Sequence, residues 1–211
     1  MRAESEPFAQ VNALALAAIL FVVTADVVAQ AGRPSAGERA MNAGLIDAAR
    51  LGDLGAMREL LDAGADVNAV VPGDGSPLIA AARRGDMRGV QLLLDRGADV
   101  MLEVSGDGNP LIAAARGGHV DIVTLLLDRG ADVDHVVAGD ENPLIQACET
   151  GRLDVVKLLV ARGADVNVRV RADVYPDNGR VEQEWRTPLG IAQREGHAAV
   201  VQYLLSVGAL D

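Results

Sequence analysis

The chain has 211 residues, a formal net charge of -11 and 50 % apolar residues, but only 2 % aromatic residues. This acidic balance argues against the nucleic-acid backbone as a partner, because neutralising phosphates needs clustered Lys and Arg. The chain has one cysteine, Cys148, which excludes an intrachain disulfide. With so few aromatic residues, the core must consist of Ala, Leu, Val and Ile, and such small side chains suit many thin, similar layers.

The N-terminal segment differs in character from the rest of the chain. Residues 11–23 read VNALALAAILFVV, which is too short to span a bilayer but has the length of the apolar region of a signal peptide. Ala29-Gln30-Ala31 fits the small-residue rule for cleavage. Residues 1–31 are therefore predicted to be a signal peptide, and the protein to be periplasmic or secreted after cleavage near Ala31. Glu4 and Glu6 depart from the positive start that is typical of such peptides.

Two other interpretations of this segment stay open. An uncleaved membrane anchor would run from Val11 to about Ala31 and would tie the protein to a membrane, although Asp26 inside a span is unfavourable. A cytoplasmic protein with an unusual N-terminus is the third interpretation. Residues 32–41, GRPSAGERAM, are predicted to be a polar linker.

A repeat organises the remainder of the chain. The tetrapeptides SPLI (76–79), NPLI (109–112) and NPLI (142–145) recur every 33 residues, and TPLG (187–190) follows after 45, which is 33 plus 12. Leu45-Ile46 opens a degenerate first copy. Each copy continues in the same order with an Ala-Ala pair, a Gly, a Leu-Leu pair and Gly-Ala-Asp-Val. Such periods are typical of stacked repeat proteins.

Each copy predicts two short helices. A capping residue precedes proline at the start of the first helix, and a glycine ends it, because glycine accepts the left-handed backbone of a helix end. No copy can bury its apolar face alone, so the copies must stack. The predicted caps are Ser76, Asn109, Asn142 and Thr187, and the predicted helix-ending glycines are Gly85, Gly118, Gly151 and Gly196.

The period and order of these motifs resemble the ankyrin repeat over residues 42–211. The resemblance implies an all-α repeat solenoid, an ankyrin stack of five helix-turn-helix repeats with β-hairpin fingers, of which the last is extended. It implies a monomeric, non-catalytic scaffold that binds a protein partner and needs no cofactor. The repeats are predicted at about 42–74, 75–107, 108–140, 141–185 and 186–211, with the end copies presenting polar outer faces.

The finger segments depart from the common family pattern. They read VVPGDGSP, EVSGDGNP and VVAGDENP, with Val71, Val104 and Val137 where a polar residue is common. This style is similar to the ankyrin extensions of some bacterial membrane metallopeptidases of the antirepressor type, and it implies a bacterial origin. The peptidase motif His-Glu-x-x-His is absent from the sequence. The alternative function is therefore a regulatory or inhibitory domain that acts in trans on a membrane peptidase.

The resemblance places the residue after each Ala-Ala pair on a concave binding face. We call this set, with Arg84 beside it, the arginine row. Such a row inside an acidic protein could bind an acidic peptide through bidentate contacts. The alternative is that its arginines pair with the finger residues Asp74, Asp107 and Asp140. The arginine row consists of Arg50, Arg83, Arg84, Arg116, Glu149 and Arg194.

The 12 additional residues lie in the last finger. Residues 168–186 alternate on both sides of the turn signal Pro176-Asp177-Asn178-Gly179, which predicts a long hairpin. One face would carry Val168, Val170, Ala172 and Val174, and the other Arg169, Arg171, Asp173 and Tyr175. Because aromatic residues and Arg are enriched at binding hot spots, the predicted protein-binding residues also include Arg169, Arg171, Tyr175 and Trp185. The alternative is that Trp185 covers the core of the last repeat.

No catalytic, cofactor or metal site is predicted from the sequence. His119 and His197 follow the repeat glycine and are expected to contact backbone groups, whereas Cys148 replaces a core alanine and is expected to be buried. No Gly-rich phosphate loop, zinc-ligand spacing or nucleophile-base pair is visible. The finger aspartates do not supply the clustered oxygens, about six to eight, that calcium needs.

Overall fold

The computed structural model describes residues 34–71, 73–137, 142–174 and 182–210, with only the backbone described at 172–174 and 182–184. From Ala40 onward the described residues belong to one compact unit, Ala40–Asp211. The predicted signal peptide or anchor, Asp140, Tyr175 and the turn at 176–179 lie outside the described residues. None of the helices in the described ranges combines the length and apolar character that a membrane span requires.

The described residues form ten helices and two strands, in an order that alternates a first and a second helix. Nine of the helices have only seven to nine residues, so their stability depends on tertiary packing. The elements are α1 (Ala36–Leu51), α2 (Leu54–Asp62), α3 (Pro77–Arg84), α4 (Met87–Asp95), α5 (Pro110–Gly117), α6 (Val120–Asp128), α7 (Pro143–Glu149), α8 (Leu153–Ala161), β1 (Val170–Val174), β2 (Glu182–Arg186), α9 (Pro188–Arg194) and α10 (Ala198–Ser206).

A capping box starts α1. The backbone amide of Ser35 donates to Oε2 of Glu38 at 2.6 Å, and the amide of Glu38 donates to Oγ of Ser35 at 3.1 Å. Hydrogen bonding from the Ser35 backbone, followed by that from its side chain, lowers the pKa of Glu38. Residues 36–41 of the predicted linker are therefore helical. The Ser-x-x-Glu spacing is the sequence signal for this start.

The predicted starts of the other first helices are confirmed. Helices α3, α5, α7 and α9 each begin at a proline, and the preceding side chain accepts a hydrogen bond from the amide three residues later. These hydrogen bonds range from 2.8 Å at Asn109 to 3.3 Å at Ser76. Each cap satisfies a backbone donor that the helix cannot, and each contributes about 1 kcal/mol to stability.

Helix stacking builds the core of the Ala40–Asp211 unit. Helices α3, α5, α7 and α9 pack against one another in chain order, and each also packs against the second helix that follows it. One alanine per helix is fully buried at the same position of this stack, which lets the backbones approach closely. The prediction of an all-α repeat solenoid is confirmed by this arrangement. The four alanines are Ala81, Ala114, Ala147 and Ala192.

Hydrogen bonds across the stack satisfy the carbonyl group near the end of a first helix. The donor comes from the residue that precedes the next second helix, 36 residues further on or 48 where the insertion intervenes. The expectation that the two histidines contact backbone groups is confirmed. The donor and acceptor residues are His119 Nε2 with Arg83 at 3.1 Å, Arg152 Nε with Arg116 at 3.2 Å and His197 Nε2 with Glu149 at 3.0 Å.

At one of these donor positions the residue is acidic, and an arginine two residues earlier in the chain donates the hydrogen bond instead. Asp86 stands where His119 stands one copy later, and its carboxylate cannot donate to the Arg50 carbonyl. Instead, Nη1 of Arg84 donates to that carbonyl oxygen at 3.2 Å. Arg84, which the sequence assigned to the arginine row, therefore joins two helix pairs through the backbone.

The left-handed glycines at the ends of the first helices also leave room for these donors. Gly85 has φ 84°, and a Cβ built on it would clash with the imidazole ring of His119. Gly97, at the end of a second helix, has a nearly identical φ of 88°, but its Cβ would meet nothing within 4 Å. The two positions therefore share the backbone requirement and differ in steric space.

The last helix pair and the residues after it expose two leucines, so the polar outer face expected of the end copies is apolar at these positions. Leu205 is 55 % exposed and Leu210 is 70 % exposed. Leu205 occupies the position of Leu94 and Leu127, which are partly buried against the core. The last copy keeps this stacking side chain, but no described helix covers it.

Cys148 is fully buried in α7, as expected for a residue in the place of Ala115. Burial raises the pKa of its thiol from 9.0 to about 12, because the thiolate would lose its hydration inside the stack. The buried thiol is therefore neutral and closed to reagents in the folded protein.

Comparing Gly85→Ala with Gly97→Ala should separate steric space from backbone strain. We expect Gly97→Ala to lower the free energy of unfolding by about 1–2 kcal/mol through its left-handed backbone alone. Gly85→Ala should lower it by about 1 kcal/mol more, because His119 must move and lose its hydrogen bond. Urea denaturation measures both. Equal losses, or an unchanged Gly85→Ala effect in a His119→Ala background, would contradict this role of the histidine.

Cys148 should resist a thiol reagent such as dithionitrobenzoate in the native protein and react fully in urea. The folded pKa is raised, so its stabilising contribution is complete below pH 9.0 and is lost as the pH rises towards about 12. The stability difference between the native chain and Cys148→Ala should therefore shrink over that interval. Rapid labelling at a rate independent of urea would show that the thiol is accessible.

Candidate functional site

The arginine row lies at the ends of the first helices. Arg50, Arg83 and Arg116 occupy the last turns of α1, α3 and α5, and all three are exposed. Their shared position follows from the buried alanines before them, which fix the orientation of each helix. Glu149 takes the same place in α7 and is partly buried, and Arg194 takes it in α9.

Finger aspartates neutralise two members of the row. Nη2 of Arg50 lies 3.1 Å from Oδ1 of Asp74, and Nη2 of Arg83 lies 2.6 Å from Oδ1 of Asp107. The alternative that the row pairs with the fingers is thus confirmed for these two arginines. About half of each arginine side chain stays exposed, so each pair contributes about 0–1 kcal/mol and can exchange its partner.

The charge order reverses at the fourth helix pair. Oε1 of Glu149 lies 3.7 Å from Nη1 of Arg186, which precedes the cap of α9. Both side chains are mostly buried, so Glu149 is compensated by a local cation and is not an exposed negative site. An acidic helix residue and a basic finger residue here replace the basic and acidic residues of the earlier copies.

Three of the finger valines are buried, whereas Val71 is partly buried against the core. Val104, Val137 and Val170 are 6 %, 3 % and 7 % exposed, which explains why these positions are apolar in this chain. At Val104 the backbone amide donates to the Gly108 carbonyl oxygen at 2.9 Å and closes a tight turn. This hydrogen bond fixes the described backbone of the finger, so the charged residues of the finger keep a constant position.

The predicted extended finger contains an antiparallel strand pair. In its register Val170 pairs with Arg186 and Arg171 pairs with Trp185. Val170 is buried whereas Arg169 and Arg171 are exposed, so the predicted alternation is confirmed for these residues. One face of the pair packs on the stack, and the opposite face carries Arg169, Arg171 and Trp185.

Trp185 is 60 % exposed, so the alternative that it covers the core of the last repeat is wrong. The guanidinium carbon of Arg169 lies 5.4 Å from the centre of its ring, and that of Arg171 lies 5.9 Å from it. Both distances fall in the range of cation-π contacts. The sequence had grouped these three residues as binding candidates, and the structure brings them into contact.

A shallow groove continues from this cluster onto the last helix pair. The structure therefore joins Trp185 to one member of the arginine row, Arg194, whereas Arg50 and Arg83 belong to separate ion pairs. In the described part of the chain, no group of three or more His, Cys, Asp or Glu side chains could hold a metal ion. The groove is lined by Trp185, Arg186, Thr187, Gly190, Ile191 and Arg194.

Paired short helices on a continuous apolar stack, with charged side chains repeated at one position, define a helical repeat protein. A family model of ankyrin repeats (3 copies) matches residues 45–137, 78–170 and 137–211. The chain therefore belongs to the ankyrin repeat family. Ankyrin repeats generally mediate protein-protein interaction and are typically non-catalytic. A comparison with curated proteins found no match.

Proposed function

We propose that this chain is an exported, monomeric scaffold that binds a protein partner through its concave face and its extended last finger. One observation carries the proposal: exposed charged side chains repeat at a single position on a buried frame, and the series ends at an exposed tryptophan. Because the frame is stabilised by its apolar core, these surface residues are available for recognition.

We further propose that the frame consists of five repeats, at about 42–74, 75–107, 108–140, 141–185 and 186–211. Five helix pairs support this division. The tight turn closed by Val104 and Gly108 supports hairpin fingers, and the β1–β2 pair supports an extended last finger. The extension follows from the spacing between Pro143 and Pro188, which begin α7 and α9. They lie 45 residues apart, 12 more than the 33-residue period.

The finger style supports one class of partner to examine first. The Val-x-Gly-Asp segments resemble those of ankyrin extensions on bacterial membrane metallopeptidases, and Val104 and Val137 are buried parts of the frame. We propose a bacterial origin on this basis, and a membrane peptidase as the alternative target of regulation in trans. A peptidase whose rate of peptide cleavage does not change in the presence of this chain would contradict that alternative.

Export of the chain predicts a mature N-terminus at Gly32. The basis is the apolar run at residues 11–23 followed by Ala29-Gln30-Ala31. N-terminal sequencing of the protein recovered from the periplasm or medium should read GRPSAGER. A protein that keeps Met1 in the membrane fraction would indicate an anchor, and one that keeps Met1 in the cytoplasm would overturn export.

Reversing charges in the arginine row should release the partner. We expect Arg83→Glu/Arg116→Glu, and separately Trp185→Ala, to reduce partner recovery from a periplasmic extract by about tenfold or more, because both remove hot-spot side-chain types. The matched control is Arg129→Glu/Arg162→Glu, which reverses two arginines that pair with Asp95 and Asp128 at the ends of second helices.

The control separates recognition from stability, since both double variants reverse two charges and each breaks at least one ion pair. Circular dichroism and urea unfolding should first show that every variant is folded. The proposal requires that the control keep its partner. If the arginine-row variant and Trp185→Ala retain the same partners as the native chain, this surface is not the binding site.

A further inference from the structure

The face of the β1–β2 pair that carries Arg169, Arg171 and Trp185 differs from the arginine row in its charge pairing. Among the described residues, neither Arg169 nor Arg171 forms an ion pair, although the chain has a net charge of -11. Arg50 and Arg83, in contrast, each contact a finger aspartate. We call Arg169, Arg171 and Trp185 the tryptophan cluster.

Two guanidinium groups lie within 6 Å of one indole ring in this cluster. The ring attracts each cation through its negative face, but it carries no net charge, and no carboxylate among the described side chains compensates their mutual repulsion. An incoming anion would reduce this repulsion without displacing a carboxylate of the described side chains. An anion that binds Arg83 must instead compete with Asp107, whose Oδ1 lies 2.6 Å away.

The cluster also offers an apolar contact beside the two cations. Trp185 is 60 % exposed, and the adjoining groove is lined by Gly190 and Ile191 of α9. A ligand that places an anion and an apolar group side by side would use both features. Carboxylates suit guanidinium groups because two parallel hydrogen bonds can form.

We infer that the tryptophan cluster binds an acidic segment of the protein partner, in which carboxylate side chains neighbour an apolar residue. The carboxylates would contact Arg169 and Arg171, and the apolar side chain would lie against Trp185. This inference rests on the proposed function and names the chemistry of the partner. A nucleic acid fits less well, because it carries a charge on every phosphate, and the acidic chain repels such a polyanion more strongly than a segment with a few carboxylates.

The chain reports on this cluster through its own fluorescence, because Trp185 is its only tryptophan. The mature protein, without residues 1–31 if these are cleaved, would be titrated with a blocked ten-residue peptide of alternating Glu and Leu. We expect a saturable change in tryptophan emission, with an affinity that falls as salt is raised. A Lys-Leu peptide of the same length and single-stranded oligothymidylate are the comparison ligands.

Two matched double variants test the assignment. Arg169→Gln/Arg171→Gln should weaken the Glu-Leu peptide by about tenfold or more, because two charge-assisted contacts are lost. Arg129→Gln/Arg162→Gln also removes two positive charges, but from residues outside the arginine row that are already paired with Asp95 and Asp128, and should change the affinity by less than about threefold. Calorimetry repeats both measurements without relying on the indole signal.

Several results would overturn the inference. These are no binding of the Glu-Leu peptide, equal binding of the Lys-Leu peptide, preferential binding of oligothymidylate, or equal losses in the two double variants. Failure here is distinguishable from failure of the proposed function. A partner captured through Arg83 and Arg116 would leave the scaffold standing even when the acidic peptide does not bind to the tryptophan cluster.

Discussion

The rest of the structure depends on close packing between consecutive first helices. A fully buried alanine at the same position of each helix, such as Ala81 and Ala114, brings the backbones together. The side chains that cap these helices then satisfy their first amides, and donors from the following copy, such as His119, satisfy a carbonyl near their ends. Short helices that are marginal alone become stable because packing and backbone hydrogen bonds are met at the same interface.

The ion pairs of the arginine row contribute much less to stability than the apolar core does. The ion pairs of Arg50 and Arg83 are half exposed, and each contributes about 0–1 kcal/mol, whereas a buried leucine such as Leu93 contributes about 1.5–3 kcal/mol. The row can therefore change its residues, as it does at Glu149, without loss of the stack.

The insertion changes more than the length of one finger. It places Trp185 where Asp74 and Asp107 stand in earlier copies, counted from the residue that caps the following helix. The same finger supplies Arg186, which pairs with the mostly buried Glu149. In this copy the helix residue is therefore acidic and the finger residue basic, the reverse of the Arg50 and Arg83 pairs. The basic row is thus interrupted at Glu149, and the last finger adds an aromatic surface flanked by arginines, which gives the stack two chemically different charged regions.

The sequence by itself determined the features that depend on neighbouring residues and on the period. These include the helix starts at Ser76 and its equivalents, the burial of Cys148 and the alternation around Val170, because caps, left-handed glycines and pleats are local. The start of α1 was equally readable from Ser35 and Glu38. Only the tertiary structure decided which arginines are neutralised, that Arg84 replaces a donor and that Trp185 is exposed. Those outcomes depend on side chains that come from copies tens of residues apart, and a one-dimensional pattern does not specify the angles and distances at which such copies meet.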